Sequence, residues 1–444
     1  MNITYISFII LVVICLILSI SAYRKKKDFF HPQVFIAGYF LLTNIVYLHL
    51  ISVDPENFPR TVSFPLNNPP ERAIFKYIAI QIVYFIILYI SMATSKFRAY
   101  SQKTNILLAK NKIPILFYLT LIVSISCFVF FLLTNGGLTA IILLWGTSDR
   151  GELVRGSVFF HLLFVTLPIL AVLNQYMYSV KKIKKYSMIL ILLYLIFVSM
   201  MNGGRGGVFV IIISSMIAVN YIQQTVQLRF FVKYAWILIL LVPFFTMMVN
   251  LRNPRVVADF VDNPMSILTA EAVVLEDNLA RWRDLSRADI QIFIIDHFSH
   301  NDFWYGSSFK NILFGFIPRS LYPNKPAIDE GIYIRALAAG FDVGPNMPSD
   351  QARAGAAWPS RTIGTWFANF GILGVLLAAF IKGKIYMFFY RKVKANNFVY
   401  LLLYPMVLLS FFLSVSAIVS LFISIVSILV LVFISKIISL FTKI

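Results

Sequence analysis

Three arginines of this chain stand in unusual company. Arg205 sits in "MNGGRGGVF", from Met201 to Phe209, with four glycines around it. Arg319 lies in "GFIPRSLYPNKP", from Gly315 to Pro326, where three prolines and a second cation, Lys325, occur without an acid. Arg361 lies in "WPSRTIGTWFANFGILG", from Trp358 to Gly374. A guanidinium presents a planar fork of donors that matches phosphate oxygens, and an ammonium adds a compact point charge. Glycine clears side chains away, so that an anionic head group can approach backbone N–H groups. Proline fixes φ and pushes the residue before it towards extended geometry, so Arg319 and Lys325 are carried on a stiff segment. Residues of these kinds suit the binding of a phosphate or diphosphate and the stabilisation of charge that develops on it.

Each motif also has a plainer reading. Arg205 would serve equally in a tight helical hairpin whose cation reaches up to water. The proline-rich hook would serve as an interfacial loop whose cations touch lipid phosphates without specificity, and Arg361 is balanced between substrate contact and anchoring. In "DHFSH", from Asp296 to His300, two imidazoles have acids nearby but no third nitrogen or sulfur ligand, which disfavours zinc. His300 fits better as a general base or substrate hydrogen-bonding group, because an acceptor hydroxyl must lose a proton, with His297 beside it. "TSDRGELVRG", from Thr147 to Gly156, offers Arg150 and Arg155 either to a sugar or to a solvated turn. Tyr322, like Trp304 and Tyr305, suits a membrane interface. Neither an ATP-binding phosphate loop nor an HExxH motif occurs, so neither ATP hydrolysis nor zinc proteolysis is indicated, and no cofactor or metal is expected.

The elements that must position these residues are mostly greasy. The 444 residues are 59% hydrophobic and 13% charged, with a mean hydropathy of +0.81, the composition of an all-α polytopic membrane protein. At about 20 residues per crossing, eleven runs are long enough, with a twelfth left open. They are Ile3 to Tyr23, Pro32 to Ile51, Ile74 to Ser95, Ile113 to Thr134, Val158 to Tyr178, Tyr186 to Met201, Val208 to Ile222, Phe230 to Asn250, Thr362 to Ile381, Phe398 to Ser416 and Val419 to Leu440. This gives a membrane bundle over 1–250, a large loop over 251–361 and a second stretch of bundle over 362–444. The first helix lacks a cleavage site and reads as retained. Cys15 and Cys127 lie in apolar runs and suit packing, not a disulfide framework.

A formal charge of +20 raises the possibility of nucleic acid, but its distribution says otherwise. Most of the 39 basic residues cluster in alternate loops, at 24–27, 96–112, 181–185, 229–233, 382–394 and 436–443. That is the positive-inside signal; it places the N-terminus outside, the C-terminus inside, and the three arginine motifs on the outer face. The large loop is expected to be partly helical. Asn263 and Pro264 open an amphipathic helix, while "IQIFIID" (290–296) and "NILFGFI" (311–317) are too short to span and suit the interface.

"IPRSLYPNKP" followed by "PSRTIGTWFANFGILG", together with the isolated "GGRGG", resembles the signature of bacterial O-antigen and exopolysaccharide repeat-unit polymerases of the Wzy type, within the O-antigen polymerase and ligase superfamily. The resemblance covers roughly residues 200 to 380; members often have an even number of spans, unlike the eleven counted here. It implies an inverting, metal-independent glycosyl transfer at the periplasmic face of the inner membrane, with a growing glycan on undecaprenyl diphosphate donated to a fresh lipid-linked repeat unit. It assigns Arg205 and Arg319 to diphosphate binding and leaving-group stabilisation, with Arg361 assisting and Lys325 as a fourth cation. The resemblance supplies no base; His300 is the one taken from the residue reading above, and Tyr322, Arg150, Arg155 and His297 are expected near the diphosphate or glycan. A chain-length regulator protein is the expected partner, with lipid-linked glycan and membrane lipid, and without nucleic acid. Two alternatives stand beside it: a ligase of the same superfamily, and a flippase for lipid-linked sugars, which would need polar and cationic residues inside its helices.

Overall fold

The computed structural model describes residues 2–58, 66–95, 112–138, 141, 158–200, 205–227, 230, 286–317, 321–348, 357–410 and 412–441. Among these the helices are, in order, α1 (Ile3–Lys26), α2 (Pro32–Val53), α3 (Pro70–Ala93), α4 (Ile113–Thr134), α5 (Val158–Ser179), α6 (Lys185–Met200), α7 (Arg205–Ala218), α8 (Ala288–His297), α9 (Ser307–Phe314), α10 (Gly331–Ala338), α11 (Arg361–Lys394), α12 (Phe398–Ser410) and α13 (Val415–Phe441). A single antiparallel bridge, Pro326 to Pro348, is the extended pairing found among the described residues. Eight helices there are long and apolar enough to cross a membrane, and α6 and α12 are apolar but shorter. Lipid offers backbone groups no hydrogen-bond partner, so each crossing must close its own ladder as helix. The protein is an all-α, multi-pass membrane protein. The expected span Phe230 to Asn250 and the amphipathic helix after Asn263 lie outside the described residues.

The chain divides into two compact units, one formed by 1–98, 277–390 and 410–422, the other by 99–276, 391–409 and 423–444. In the second unit α4 packs on α5, and α6 and α7 pack on α5 and on each other. Asn174 Nδ2 donates to the Met188 carbonyl at 2.9 Å, and the Ser124 and Tyr194 hydroxyls meet at 3.1 Å, so polar groups tie these helices together. The glycine tract does join two adjacent helices: a Cβ at Gly207 would lie 3.2 Å from the Ser199 carbonyl oxygen, so the first turn of α7 is pressed on the last turn of α6.

In the first unit α1, α2 and α3 pack together and α8 lies against α3. Ile290 to Asp296, expected to dip into the interface, is instead buried along its whole length within this unit. The segment around α9 does keep Leu313 and Phe316 exposed.

The largest departure from expectation is α11. Thr362 to Ile381 was expected to be one straight span, which would set Thr362 and Lys382 about 30 Å apart at 1.5 Å per residue. Instead Lys382 Nζ donates to Thr362 Oγ1 at 2.9 Å. A Cβ at Gly374 would lie 2.5 Å from the Trp366 carbonyl oxygen, eight residues earlier. The helix reverses at Gly371, where φ is +61° and ψ is −150°, a conformation open in practice only to glycine. The first limb, 361–370, runs beside α3 from the level of Tyr84, which bonds Thr362, towards its start, where Phe367 lies near Lys76. The second limb, 372–394, runs back past Ser91, whose hydroxyl donates to the Phe380 carbonyl at 2.5 Å.

This geometry makes Gly371 a test point. Gly371→Ala would force a Cβ into this conformation and to within 2.9 Å of Phe303 Cζ, at a cost on the order of 1–3 kcal/mol. Gly344→Ala, where an added methyl meets nothing within 4 Å, is the matched control. Thermal unfolding in detergent should show a lowered midpoint for Gly371→Ala and an unchanged one for Gly344→Ala; equal midpoints would contradict the reversal.

Candidate functional site

The reversal gathers cations inside the first unit. Arg361 opens the first limb, and its Cζ lies 5.8 Å from the centroid of the Phe412 ring. Lys382, on the second limb, lies 5.6 Å from the same ring and 5.6 Å from that of Tyr386. Arg287, at the start of α8, and Asp289 are within electrostatic range of Arg361, as are Tyr39 and Tyr77. Lys382 is 6% exposed, and Asp289 is 8% exposed. Lys382 is therefore buried beside two half-buried arginines, Arg361 and Arg287, with Asp289 within range of Arg361. Burying an ion costs several kcal/mol after relaxation, and a desolvated cation over an aromatic face recovers about 2 kcal/mol. The rings and one hydroxyl thus offset part of the cost, and an anionic ligand would offset more.

Backbone geometry points the same way. Arg287 and Arg361 both adopt left-handed φ, each at +53°, which is uncommon for residues with a Cβ. Each also opens a helix, where the partial positive charge of the helix terminus disfavours a cation and favours an anion. The first turn of α11 lies against the middle of α8: a Cβ at Gly364 would meet Ile294 Cδ1 at 2.7 Å and Gln291 Cγ at 3.9 Å. Two helix N-termini and three cationic side chains thus lie in one region.

A broken helix forms the floor. Between α12 and α13 the backbone leaves its ladder, and the freed groups find partners on neighbouring elements. Thr362 Oγ1 donates to the Phe412 carbonyl, and Trp366 Nε1 donates to the Leu413 carbonyl at 2.9 Å. The Val415 N–H donates to Glu330 Oε2 at 3.3 Å, while Ser360 and Thr365 hydroxyls donate to Glu330 Oε1. Glu330 is 2% exposed, and its burial pushes its carboxyl up to about 7, against the ordinary 4.5. Gly331 beside it is pressed on the Trp358 carbonyl, where no Cβ would fit.

The residues singled out in the sequence divide among several places. Arg361 is in the cluster, at the first residue of α11 and level with the middle of α3. Arg150, Arg155, Arg319 and the side chain of Arg205 lie outside the description; the backbone of Arg205 begins α7. Lys325 was expected to be offered to a ligand, but it is 6% exposed and donates to the Phe314 and Ile317 carbonyls at 3.2 and 2.5 Å. It closes the end of α9, where orphan carbonyls favour a cation. Tyr322 is partly exposed and edges the Phe314 ring at 5.6 Å. His297 lies between Phe293 and Phe298, at 5.5 and 5.0 Å, and burial holds its pKa down. His300 is exposed, with Nε2 at 2.9 Å from Asn68 Nδ2. The neighbouring Asp296 accepts from Asn67 N–H and Asn68 Nδ2, and no group of three metal-ligating side chains forms among the described residues. Sequence reasoning missed Lys382, Arg287, Asp289 and Glu330.

No protein-family model, curated protein or solved structure matches the chain.

Glu330 yields a pH prediction. Its folded-state value of about 7 lies above the ordinary 4.5, so the folded protein holds the proton more tightly. Stability is therefore greatest below pH 4.5 and falls as pH rises through about 7, by about 3 kcal/mol in all. Asp329, raised by burial as well, adds to the same slope. Glu330→Gln imitates the protonated acid. It should flatten the midpoint against pH between pH 5 and 8 and unfold later than the parent at pH 8; an unchanged slope would contradict the assignment.

Proposed function

We propose that this protein is a glycosyltransferase of the bacterial inner membrane that joins undecaprenyl-diphosphate-linked oligosaccharide repeat units into a polymer at the periplasmic face. The observation that carries the reading is that Arg361 and Lys382 lie over the Phe412 ring inside an apolar helical unit, with Arg287 and Asp289 within electrostatic range of Arg361. A lipid diphosphate is the leaving group of such a reaction, and cations held where water is scarce stabilise the charge it gains. The bond from the donor's anomeric carbon to the diphosphate oxygen breaks. A bond from that carbon to an acceptor hydroxyl forms, and the hydroxyl proton passes to a general base. Arg361 supplies the planar fork to the diphosphate, Lys382 supplies point charge, and the N-termini of α8 and α11 add their N–H groups. The resemblance of their motifs gives Arg205 and Arg319 a diphosphate-binding role as well. His300 does not join them by contact, since it lies at a different face of α3, on Asn68.

One observation favours a second reading, a translocator of lipid-linked sugars. Transporters often place anionic substrate at the ends of discontinuous helices inside the bundle, and both the reversal at Gly371 and the buried Lys382 are of that kind. One experiment separates the two. Full-length protein in vesicles with lipid-linked repeat units should build a ladder of chain lengths, and Arg361→Ala should slow it about 100-fold with unchanged protein level. Lipid translocation without a ladder would overturn the polymerase reading in favour of the second.

A further inference from the structure

Helix α3 shows two functional faces. Tyr77, Gln81 and Tyr84, spaced four and three apart, are buried on the face towards Thr362 and Arg361. Arg72, Lys76, Ala79 and Val83, spaced four, three and four apart, make another face that borders an open groove of about 860 Å³. The turn after α8, from Phe298 to Tyr305, forms the opposite side, and the reversal of α11 adds Phe367 and Ile372.

We propose that this groove binds the phosphate head group of a membrane lipid, with the hydrocarbon chain lying along Ala79, Val83 and Ile372. Arg72 and Lys76 are one helical turn apart on the same face and within electrostatic range of each other, an arrangement that is unfavourable unless an anion lies between them. Both also sit in the first two turns of α3, where the helix terminus disfavours cations. Among the described residues Asp296 offsets the repulsion at Lys76, and it also accepts from Asn67 and Asn68; an incoming phosphate would bridge Lys76 to Arg72 as well. Asp302 is exposed at the far rim, and Glu71 is exposed on the neighbouring face of α3. The lysine is positioned by its bond to Ser299 Oγ, a hydroxyl fixed in turn on the Ile295 carbonyl. His300 and Asn301 complete a polar rim.

The other end of the groove is apolar and open sideways. Val83 is 37% exposed and Ile372 48% exposed, on helices of span length. A free phosphate would use the cations and leave this wall idle, while a lipid phosphate uses both ends, since each buried methylene of its chain adds to binding. The site is distinct from the Arg361 cluster and does not depend on the polymerase reading.

Native mass spectrometry of the full chain in detergent tests it, with dioleoyl phosphatidic acid as the lipid and inorganic phosphate as competitor. One phosphatidic acid should be retained per chain. Arg72→Gln and Lys76→Gln should each weaken it about tenfold, the loss of one charge-assisted hydrogen bond. Arg72→Lys should restore part of the loss, and Val83→Trp should weaken binding by filling the wall while leaving charge alone. Unfolding midpoints equal to the parent's would show that the variants fold. Equal retention by the parent and both charge variants would overturn the proposal. So would full displacement by inorganic phosphate together with an indifferent Val83→Trp, which would leave an ion site only.

Discussion

The reversal of α11 at Gly371 is the constraint on which the rest of the first unit depends. With φ at +61° and ψ at −150°, that glycine turns a run of span length into two limbs lying side by side. The turn brings Lys382 to Thr362 and to the Phe412 ring, whose backbone carbonyl accepts from Thr362. The same limb carries Thr362 and Trp366 to the carbonyls left open between α12 and α13, and sets Ser360 and Thr365 on Glu330. Those contacts satisfy backbone groups that would otherwise be unpaired in an apolar setting, at the cost of an unmade hydrogen bond each. The first limb thus covers the helix break while the second brings Lys382 back to it.

The electrostatics follow from that arrangement. Two cations brought into an apolar unit cost several kcal/mol each, and aromatic faces with a single acid recover part of it. Left-handed backbone at Arg287 and Arg361 adds strain of about 1–3 kcal/mol apiece. Such costs persist where the surrounding structure enforces them, and they are lowered by an anion that touches several cations at once. Helix α3 divides the labour: its tyrosine and glutamine face lies with the buried cluster, and its arginine and lysine face lines a groove open to the side. Glu330 stands apart from both as a carboxyl whose burial is matched by donors from three segments, so that its proton tracks the integrity of the helix break.

Hydropathy made the class of this protein plain, because lipid allows few backbone solutions and each demands a long apolar run. The reversal was hidden for the same reason. Thr362 to Ile381 has the length of one crossing, and Gly371 and Gly374 in it resemble the small-residue face of a packed helix. Lys382, the first charge after that run, looks like one more flanking cation. Its burial follows from the tertiary turn and has no signature of its own in the sequence. Arg361 was legible as a site residue through its neighbours Pro359 and Gly364, but its depth was not. Lys325 misled in the other direction: prolines do stiffen its segment, yet they turn the ammonium inward to close α9. Arg287 and Glu330 gave no local signal, since each owes its role to elements thirty or more residues away.

The most direct measurement is the proximity of the two limbs. In a chain carrying Cys15→Ala and Cys127→Ala, cysteines introduced as Thr362→Cys and Lys382→Cys are to be treated in the intact membrane protein with a bifunctional thiol reagent longer than the roughly 7 Å that a disulfide spans between Cα atoms, and the peptides analysed by mass spectrometry. The folded-back α11 predicts a cross-link in high yield, because the parent Lys382 ammonium reaches the Thr362 hydroxyl at 2.9 Å. A continuous helix would hold the two positions about 30 Å apart, and absence of the linkage, with the chain folded and both thiols reactive, would contradict the account.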